Sequence, residues 1–330
     1  MKENIQKQLY TVVTSQAVSE SGRFLYACST FGDIASYNIE KITSCIENVN
    51  NEDISDPISV FKCPETPISL NVHRDFLIVG SKNGLIIGYK TTSGIIQHKS
   101  WNIQLPLSPE KIDISEVSDL WVDSENEFLY ASCGSDIFQC SLDNGTVLNK
   151  FEGHEDFIQS IHGCEQNLVT ASSDGTVKLW DNRTKKATFS IKPSENKEIS
   201  RTQFGSWMGS ASISKSWLSC GGGPKLAVFH LNQVTKQPFQ VFDYPSSIHV
   251  TDFVDLDNLL VAGGSNRMVQ YSLNGNMISD IETSGPAVYS VVWYKNQQYK
   301  FLSASGASNN IDVSINFTYK DATLNFYKKT

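Results

Sequence analysis

No apolar run in the 330-residue chain approaches the roughly 18 residues that a membrane-spanning helix needs. The opening, MKENIQKQLYTVV, has no apolar core of the kind a secretory leader carries, so export is not expected. Basic runs are missing as well. The longest are the pairs Lys185-Lys186 and Lys328-Lys329, and Lys+Arg 27 against Asp+Glu 35 leaves a net charge of −8. That balance argues against a broad phosphate-binding face and against direct sequence-specific nucleic-acid binding. The seven cysteines, at 28, 45, 63, 133, 140, 164 and 220, include no C-x-x-C pair. An odd, scattered set reads as reduced, buried thiols rather than a disulfide frame or a zinc site, so neither metal nor cofactor is expected. The sequons at Asn144, Asn182 and Asn316 are then chance matches.

Phosphate-loop chemistry is also absent, although WLSCGGGPKLAVFHLN (217–232) invites it. A phosphate loop needs glycines followed by a helix N-terminus and by Lys with Ser or Thr at fixed offsets. Here Pro224 removes an amide donor, and the next run, LAVFHL, is rich in β-formers. The glycines therefore read as a turn between two strands. Helical periodicity is limited to a short turn at Glu3–Leu9.

What the chain does contain is a repeat: an apolar run, a turn, and a second apolar run. The unit appears as FLYACSTFGDIASYNI (24–39), FLIVGSKNGLIIGYKT (76–91), FLYASCGSDIFQCSL (128–142), NLVTASSDGTVKLWD (167–181), WLSCGGGPKLAVFHL (217–231), NLLVAGGSNRMVQYSL (258–273) and KFLSASGASNNIDVSINF (300–317). The spacing of roughly 40 to 52 residues is that of propeller blades rather than helical solenoids. Each copy supplies the middle hairpin of a blade, and the intervening segments supply its inner and outer strands. The expected fold is all-β, a single seven-bladed β-propeller over residues 1–330 with four-stranded antiparallel blades. The blades fall near 10–62, 66–104, 117–151, 156–192, 207–243, 248–282 and 287–328. Ala322–Tyr327 is expected to supply the last outer strand, because TLNFY alternates well and lies one turn away. Three long polar connections, 43–56, 106–118 and 193–206, are where blades gain individuality and partners are first sought. Within the third, SENKEISR (194–201) reads as a solvated connection.

Blade four, GHEDFIQSIHGCEQNLVTASSDGTVKLWDNRT (153–184), carries Gly153-His154, Asp174-Gly175 and Trp180-Asp181, the pattern of the WD-repeat family. The resemblance implies a buried hydrogen-bond chain. In it a loop histidine, His154, is held by the turn carboxylate Asp174, by a strand hydroxyl, Thr170 or Ser172, and by the indole of Trp180. His154 with Asp174 could be taken for a catalytic dyad, but no nucleophile accompanies them. The inner strands offer Asn71, His73, Asp119, Asp123, His162 and Asp252, which is not one ligand repeated at one position as a propeller enzyme would gather it. Blades three and five lack Trp-Asp and are expected to close by packing alone. Trp121, Trp217 and Trp293 should fill gaps between blades.

A narrower likeness is visible in WMGSASISKSWLSCGGGPKLAVFHL (207–231), in SQAVSESGRFLYA (15–27) with GDIASYNI after it, and in the order of the strong WD blade before the GGGP blade. Together these stretches resemble the THO complex subunit 6 family. That resemblance implies a nuclear, non-enzymatic scaffold of the THO/TREX assembly, coupling transcription and mRNA processing to mRNA export. Its partners would be the other THO/TREX subunits, with no membrane contact. A competing expectation comes from Trp180-Asp181-Asn182-Arg183, which satisfies the W-D-x-R pattern of substrate receptors for cullin-RING ubiquitin ligases, with Arg183 meeting the adaptor.

Overall fold

The structure is a computed structural model and describes residues 2–48, 54–106, 116–233 and 237–328. Its strands form seven four-stranded antiparallel sheets, each built from consecutive strands, which is a seven-bladed β-propeller. Blade one holds β1 Val13–Val18, β2 Phe24–Ser29, β3 Asp33–Asn38 and β4 Ser59–Lys62, and blade two β5 Pro67–His73, β6 Phe76–Ser81, β7 Leu85–Thr92 and β8 Ile95–Gln104. Blade three holds β9 Val117–Asp123, β10 Phe128–Cys133, β11 Asp136–Ser141 and β12 Val147–Phe151, and blade four β13 Ile158–Cys164, β14 Asn167–Ser172, β15 Val177–Asp181 and β16 Lys186–Ile191. Blade five holds β17 Met208–Ile213, β18 Trp217–Gly222, β19 Leu226–His230 and β20 Gln240–Phe242, and blade six β21 Ile248–Phe253, β22 Asn258–Gly263, β23 Arg267–Ser272 and β24 Met277–Glu282. Blade seven holds β25 Val288–Lys295, β26 Lys300–Gly306, β27 Asn310–Ser314 and β28 Ala322–Asn325, so the C-terminal segment supplies its outer strand.

The strands follow the sequence pattern. The second strand of a blade is covered on both faces and reads as a near-continuous apolar run, as in FLYACS and NLLVAG. The outer strand of blade four, KATFSI, is mostly exposed and polar. Chain contacts divide the protein into two compact units. One comprises Met1–Gln104, Asn266–Met268 and Ser279–Thr330. Its cores gather Val13, Leu25 and Tyr37 of blade one with Phe301, Ile311, Leu324 and Phe326 of blade seven, and Ile34 and Cys28 with Leu77, Val79 and Ile87 of blade two. The other comprises Leu105–Ser265 and Val269–Ile278. There Val169, Ala171 and Val177 of blade four pack with Met208, Ala211 and Cys220 of blade five, and Leu226 and Val228 with Leu259 and Val261 of blade six.

Two helices depart from the all-strand expectation. The short turn foreseen at Glu3–Leu9 is a full helix, α1, Lys2–Tyr10. More instructive is α2, Ile39–Glu47, which occupies the start of the stretch read as a polar connection. Asn38 caps it by accepting a hydrogen bond from Lys41 N at 2.9 Å, and Ile39, Ile42, Thr43 and Cys45 are buried beneath it. The apolar positions recur at helical spacing for barely two turns, too few to outweigh the strand signal before them. Of the connection at 106–118, residues 107–115 lie outside the described residues.

All seven cysteines are free, six of them buried, and burial pushes the Cys28, Cys140 and Cys220 thiols up to about 12. No helix among the described residues is long and apolar enough to cross a membrane.

Candidate functional site: the locked loop of blade four and the arginine clasp of blade five

Blade four brings His154, Thr170, Asp174 and Trp180 together. The His154 side chain is buried, with Nδ1 2.8 Å from Asp174 Oδ2 and Nε2 2.7 Å from Thr170 Oγ1. Trp180 Nε1 donates to the same Thr170 Oγ1 at 2.8 Å. An indole can only donate and a carboxylate can only accept, so the direction of the chain is forced. Trp180 donates to Thr170, the Thr170 hydroxyl donates to His154 Nε2, and His154 Nδ1–H donates to Asp174. Thr170 is therefore the strand hydroxyl in the chain. Ser172 works beside it, donating to Asp156 O at 3.0 Å and accepting from Asp174 N at 3.2 Å.

Asp174 is the hub. It accepts from Glu155 N at 3.0 Å, Thr176 N at 2.8 Å and Thr176 Oγ1 at 2.6 Å. Burial pushes its carboxyl up, but these donors together with His154 outweigh burial and hold it at about 2. Burial lowers the pKa of His154, against the pull of Asp174, which keeps the imidazole in the neutral form the chain requires. The turn closes through Gly175, whose φ of 82° suits glycine. Trp180, 1% exposed, fills the space beneath and meets Phe151 edge-on at 6.1 Å.

Asp181 and Arg183 stand outside this chain. Arg183 Nε and Nη2 grip Asp181 Oδ1 and Oδ2 at 2.9 and 2.7 Å, a fork on a carboxylate one turn back. That fork, with the Arg183 backbone N–H, holds Asp181 at about 2. The guanidinium is exposed, yet its planar donor edge is already engaged.

Blade five was expected to close by packing alone, with SENKEISR as a solvated connection, and both expectations are corrected. Ile199 and Arg201 are buried. The Arg201 guanidinium donates to four backbone carbonyls: Gly223 at 2.9 Å, Tyr244 at 2.7 Å, Gly222 at 3.2 Å and Pro224 at 3.1 Å. Its charged plane also lies over the Phe204 ring at 4.7 Å. Only arginine offers this many donors in a flat fork. The triple glycine now has a reason. A Cβ on Gly223 would sit 2.4 Å from Gly205 O and 2.5 Å from Phe204 O, so the turn must lie directly on the 199–207 segment. Gly223 N donates to Trp207 O, and Lys225 N to Ile199 O, each at 2.9 Å. A charged residue in a polar stretch hides this role from the sequence, since nothing in SENKEISR marks which cation turns inward.

A further device joins neighbouring inner strands. Each inner strand carries a bulge near its start, and the residue just after it is Ser15, Ser69, Asp119, Ser160, Ser210, Val250 and Ser290 in blades one to seven. In blades four and five the serine oxygen accepts from the next inner strand, Ala211 N to Ser160 at 3.0 Å and Thr251 N to Ser210 at 3.1 Å. Leu70 N to Ser15 and Gln16 N to Ser290 repeat the contact, each at 3.0 Å. In blade three Asp119 takes the place of serine and accepts from Ile161 N at 2.9 Å. Burial raises its carboxyl to about 6, against the amides of Ile161 and Leu120. The signal was present in the sequence as V-T-S, P-I-S, I-Q-S, M-G-S and V-Y-S, a serine two residues after the first residue of five of the seven inner strands.

Of the other inner-strand residues, His162 Nδ1 accepts from Ile213 N at 3.3 Å, and its Nε2 lies 3.8 Å from Asp252 Oδ1. Asn71 caps Val72 N at 2.7 Å, and Asp123 binds Asn126 Nδ2 at 2.8 Å. Among the described residues no group of three or more His, Cys, Asp or Glu is arranged to hold a metal ion. Trp121 packs across blades, since a Cβ on Gly163 of β13 would lie 2.5 Å from its ring, and Trp217, which meets His230 edge-on and Phe239 at a tilt, also packs on the core shared by blades five and six.

Seven four-stranded blades with the His-Asp-Thr-Trp chain in the fourth define a WD-repeat β-propeller, and residues 145–181 match the family described as WD domain, G-beta repeat. The likeness extends well past that blade. The chain is 32% identical to THO complex subunit 6 of Drosophila melanogaster over 336 residues, 99% of this chain and 93% of the relative, and it belongs to that family. It is also 28% identical to human THO complex subunit 6, over 97% of this chain and 94% of the relative. The Arabidopsis thaliana protein of that name is 26% identical over 200 residues, 59% of this chain and 50% of the relative.

Proposed function

We propose that the chain is a non-catalytic scaffold, a protein-binding subunit of a nuclear THO/TREX assembly that couples transcription and mRNA processing to mRNA export. The observation that carries this reading is the near end-to-end match to THO complex subunit 6 of Drosophila melanogaster. A propeller suits the task, because a rigid ring of blades offers several docking surfaces at once. The other THO subunits are the partners in this reading, and the acidic balance supports protein rather than RNA contacts inside an RNA-handling complex.

Within this reading His154, Thr170, Ser172, Asp174 and Trp180 act as a structural lock on blade four. Both imidazole nitrogens are used internally, which leaves His154 no free nitrogen to act as a base. The single propeller domain supplies the framework, and no cofactor takes part. The test is affinity purification of the tagged chain from its own cells with mass spectrometry of what comes with it. Recovery of THO subunits without a cullin-RING adaptor is the expected result. An adaptor lost on Arg183→Ala, with no THO subunit recovered, would overturn the reading.

A further inference from the structure

The outer edge of blade four differs in charge from the rest of the molecule. Residues 178–200 carry six Lys or Arg against three Asp or Glu, net +3, inside a chain of total charge −8. Lys185, Lys186, Lys192 and Lys197 are exposed and form no ion pair among the described residues. Other lysines of the chain are satisfied locally, as Lys90 is by Asp75, Lys150 by Asp136 and Lys225 by Asp243. These four lysines are thus free for an outside partner, with Glu195 and Glu198 the acids of their own segment.

A cavity opens beside them. It has a volume of about 450 Å3 and is lined by Phe189 and Ile191 of β16, by Pro193 and Ile199 of the following segment, and by Phe229 of β19, with Lys192 at the same site. Pro193, Ile199 and Phe229 are buried, so the floor is fixed by the core of blades four and five, while Ser190 and Lys192 are open to solvent. Such a volume lies toward the small end of pockets that hold a ligand. β16 is also the last strand of its sheet, so one row of its backbone groups has no neighbouring strand among the described residues.

We propose that this edge docks an acidic segment of a partner protein, which adds to β16 as a further strand and sets one aromatic or branched apolar side chain into the cavity. The carboxylates of that segment face Lys186, Lys192 and Lys197. Strand addition supplies main-chain hydrogen bonds, and the cavity, reached by alternate side chains of the added strand, supplies selectivity. A peptide fits better than a nucleic acid for two reasons. The cavity is walled by aliphatic side chains as well as rings, not by a flat aromatic platform, and Glu195 lines it. A polyanion longer than the patch would also run onto the acidic remainder of the surface.

The inference rests on the reading of the chain as a protein-binding subunit, and its test uses the full chain alone. Fluorescein-labelled Asp-Glu-Asp-Phe-Asp-Glu-Asp is titrated by anisotropy beside its Phe→Ala counterpart, a counterpart with lysine for every acid, and labelled oligouridylate. The acidic phenylalanine peptide is expected to bind at least ~10-fold more tightly than the alanine one, since burying a phenylalanine is worth that factor or more. Binding should weaken as salt rises. It should vanish in Lys186→Glu with Lys192→Glu and, independently, in Ser190→Trp, which fills the mouth of the cavity. Both variants change exposed positions and should melt with the wild type. Equal binding of the phenylalanine and alanine peptides, no binding, binding that survives in a folded variant, or oligouridylate binding removed by the same charge reversal would each overturn the inference. Because no other subunit is present, failure here leaves the THO assembly reading standing, and failed copurification leaves this edge standing.

Discussion

Blades four and five fix a preceding loop to their middle strands by opposite means. In blade four the contacts run between side chains, from indole to hydroxyl to imidazole to carboxylate. In blade five a single guanidinium gathers backbone carbonyls from the turn and from Tyr244, and glycines let two backbones touch. The first solution needs several specific side chains at fixed spacing and leaves a motif. The second needs one arginine and the absence of side chains elsewhere, so it leaves almost no motif. The difference teaches that a missing signature in a repeat is not a missing lock.

Substitutions can break this comparison. Arg201→Ala should have the largest effect, about 3–4 kcal/mol, because it strands several buried carbonyls at once. Urea unfolding checks it, and a lysine at the position should recover only part of the loss, since an ammonium cannot span the same acceptors. Gly223→Ala should follow closely, at about 2–3 kcal/mol, because backbone rather than a flexible side chain occupies the Cβ position. If Gly223→Ala melts with the wild type, the close approach is not what the triple glycine is for.

Asp174→Ala should cost about 2–4 kcal/mol by leaving the donors of His154, Thr176 and Glu155 unpaired, read from the same denaturation midpoint. The two blades also separate by pH. The Asp174 carboxyl, at about 2 when folded, lies below its unfolded value, so its contribution is intact above pH ~4 and fades as pH falls toward 2. His154, lowered when folded, begins to oppose folding as pH drops below its ordinary value near 6.5. Acid should therefore destabilise the wild type more steeply than Asp174→Asn, whereas Arg201→Ala should keep the wild-type slope. Asp119 runs the other way. Its carboxyl is raised to about 6 when folded, so Asp119→Asn should be more stable than wild type at pH 7.5 and lose that advantage by pH 4. The smallest effect belongs to Arg183→Ala, where an exposed ion pair is removed and no shift in melting temperature is expected.

The seven-fold repeat was legible because each blade must bury an apolar strand between two turns, and that need is written locally, as in FLYACS or FLIVGS. The blade-four residues were legible for the same reason: His154, Asp174 and Trp180 lie within one repeat. What escaped notice depends on neighbours distant in sequence. Arg201 reaches Tyr244, 43 positions on, and Ser290 meets Gln16, 274 positions back. Helix α2 was missed because two turns of helix carry too little periodicity to compete with the strands around them. The cavity beside β16 was out of reach too, because Phe189 and Phe229 become its walls only once blades four and five are packed.

The strand β28 has a consequence for biosynthesis. Leu324 and Phe326, roughly 300 positions beyond Val13 and Leu25, are fully buried in the same core as those residues of blade one. Domains made on the ribosome tend to fold as their N-terminal parts emerge, yet here the first blade waits for residues translated roughly 300 positions later. Until β28 emerges, the apolar face of blade one lacks this cover, so the nascent chain stays open to chaperones and to aggregation through most of the propeller's synthesis. A stop codon placed just before β28 should then be as damaging to yield as one far upstream.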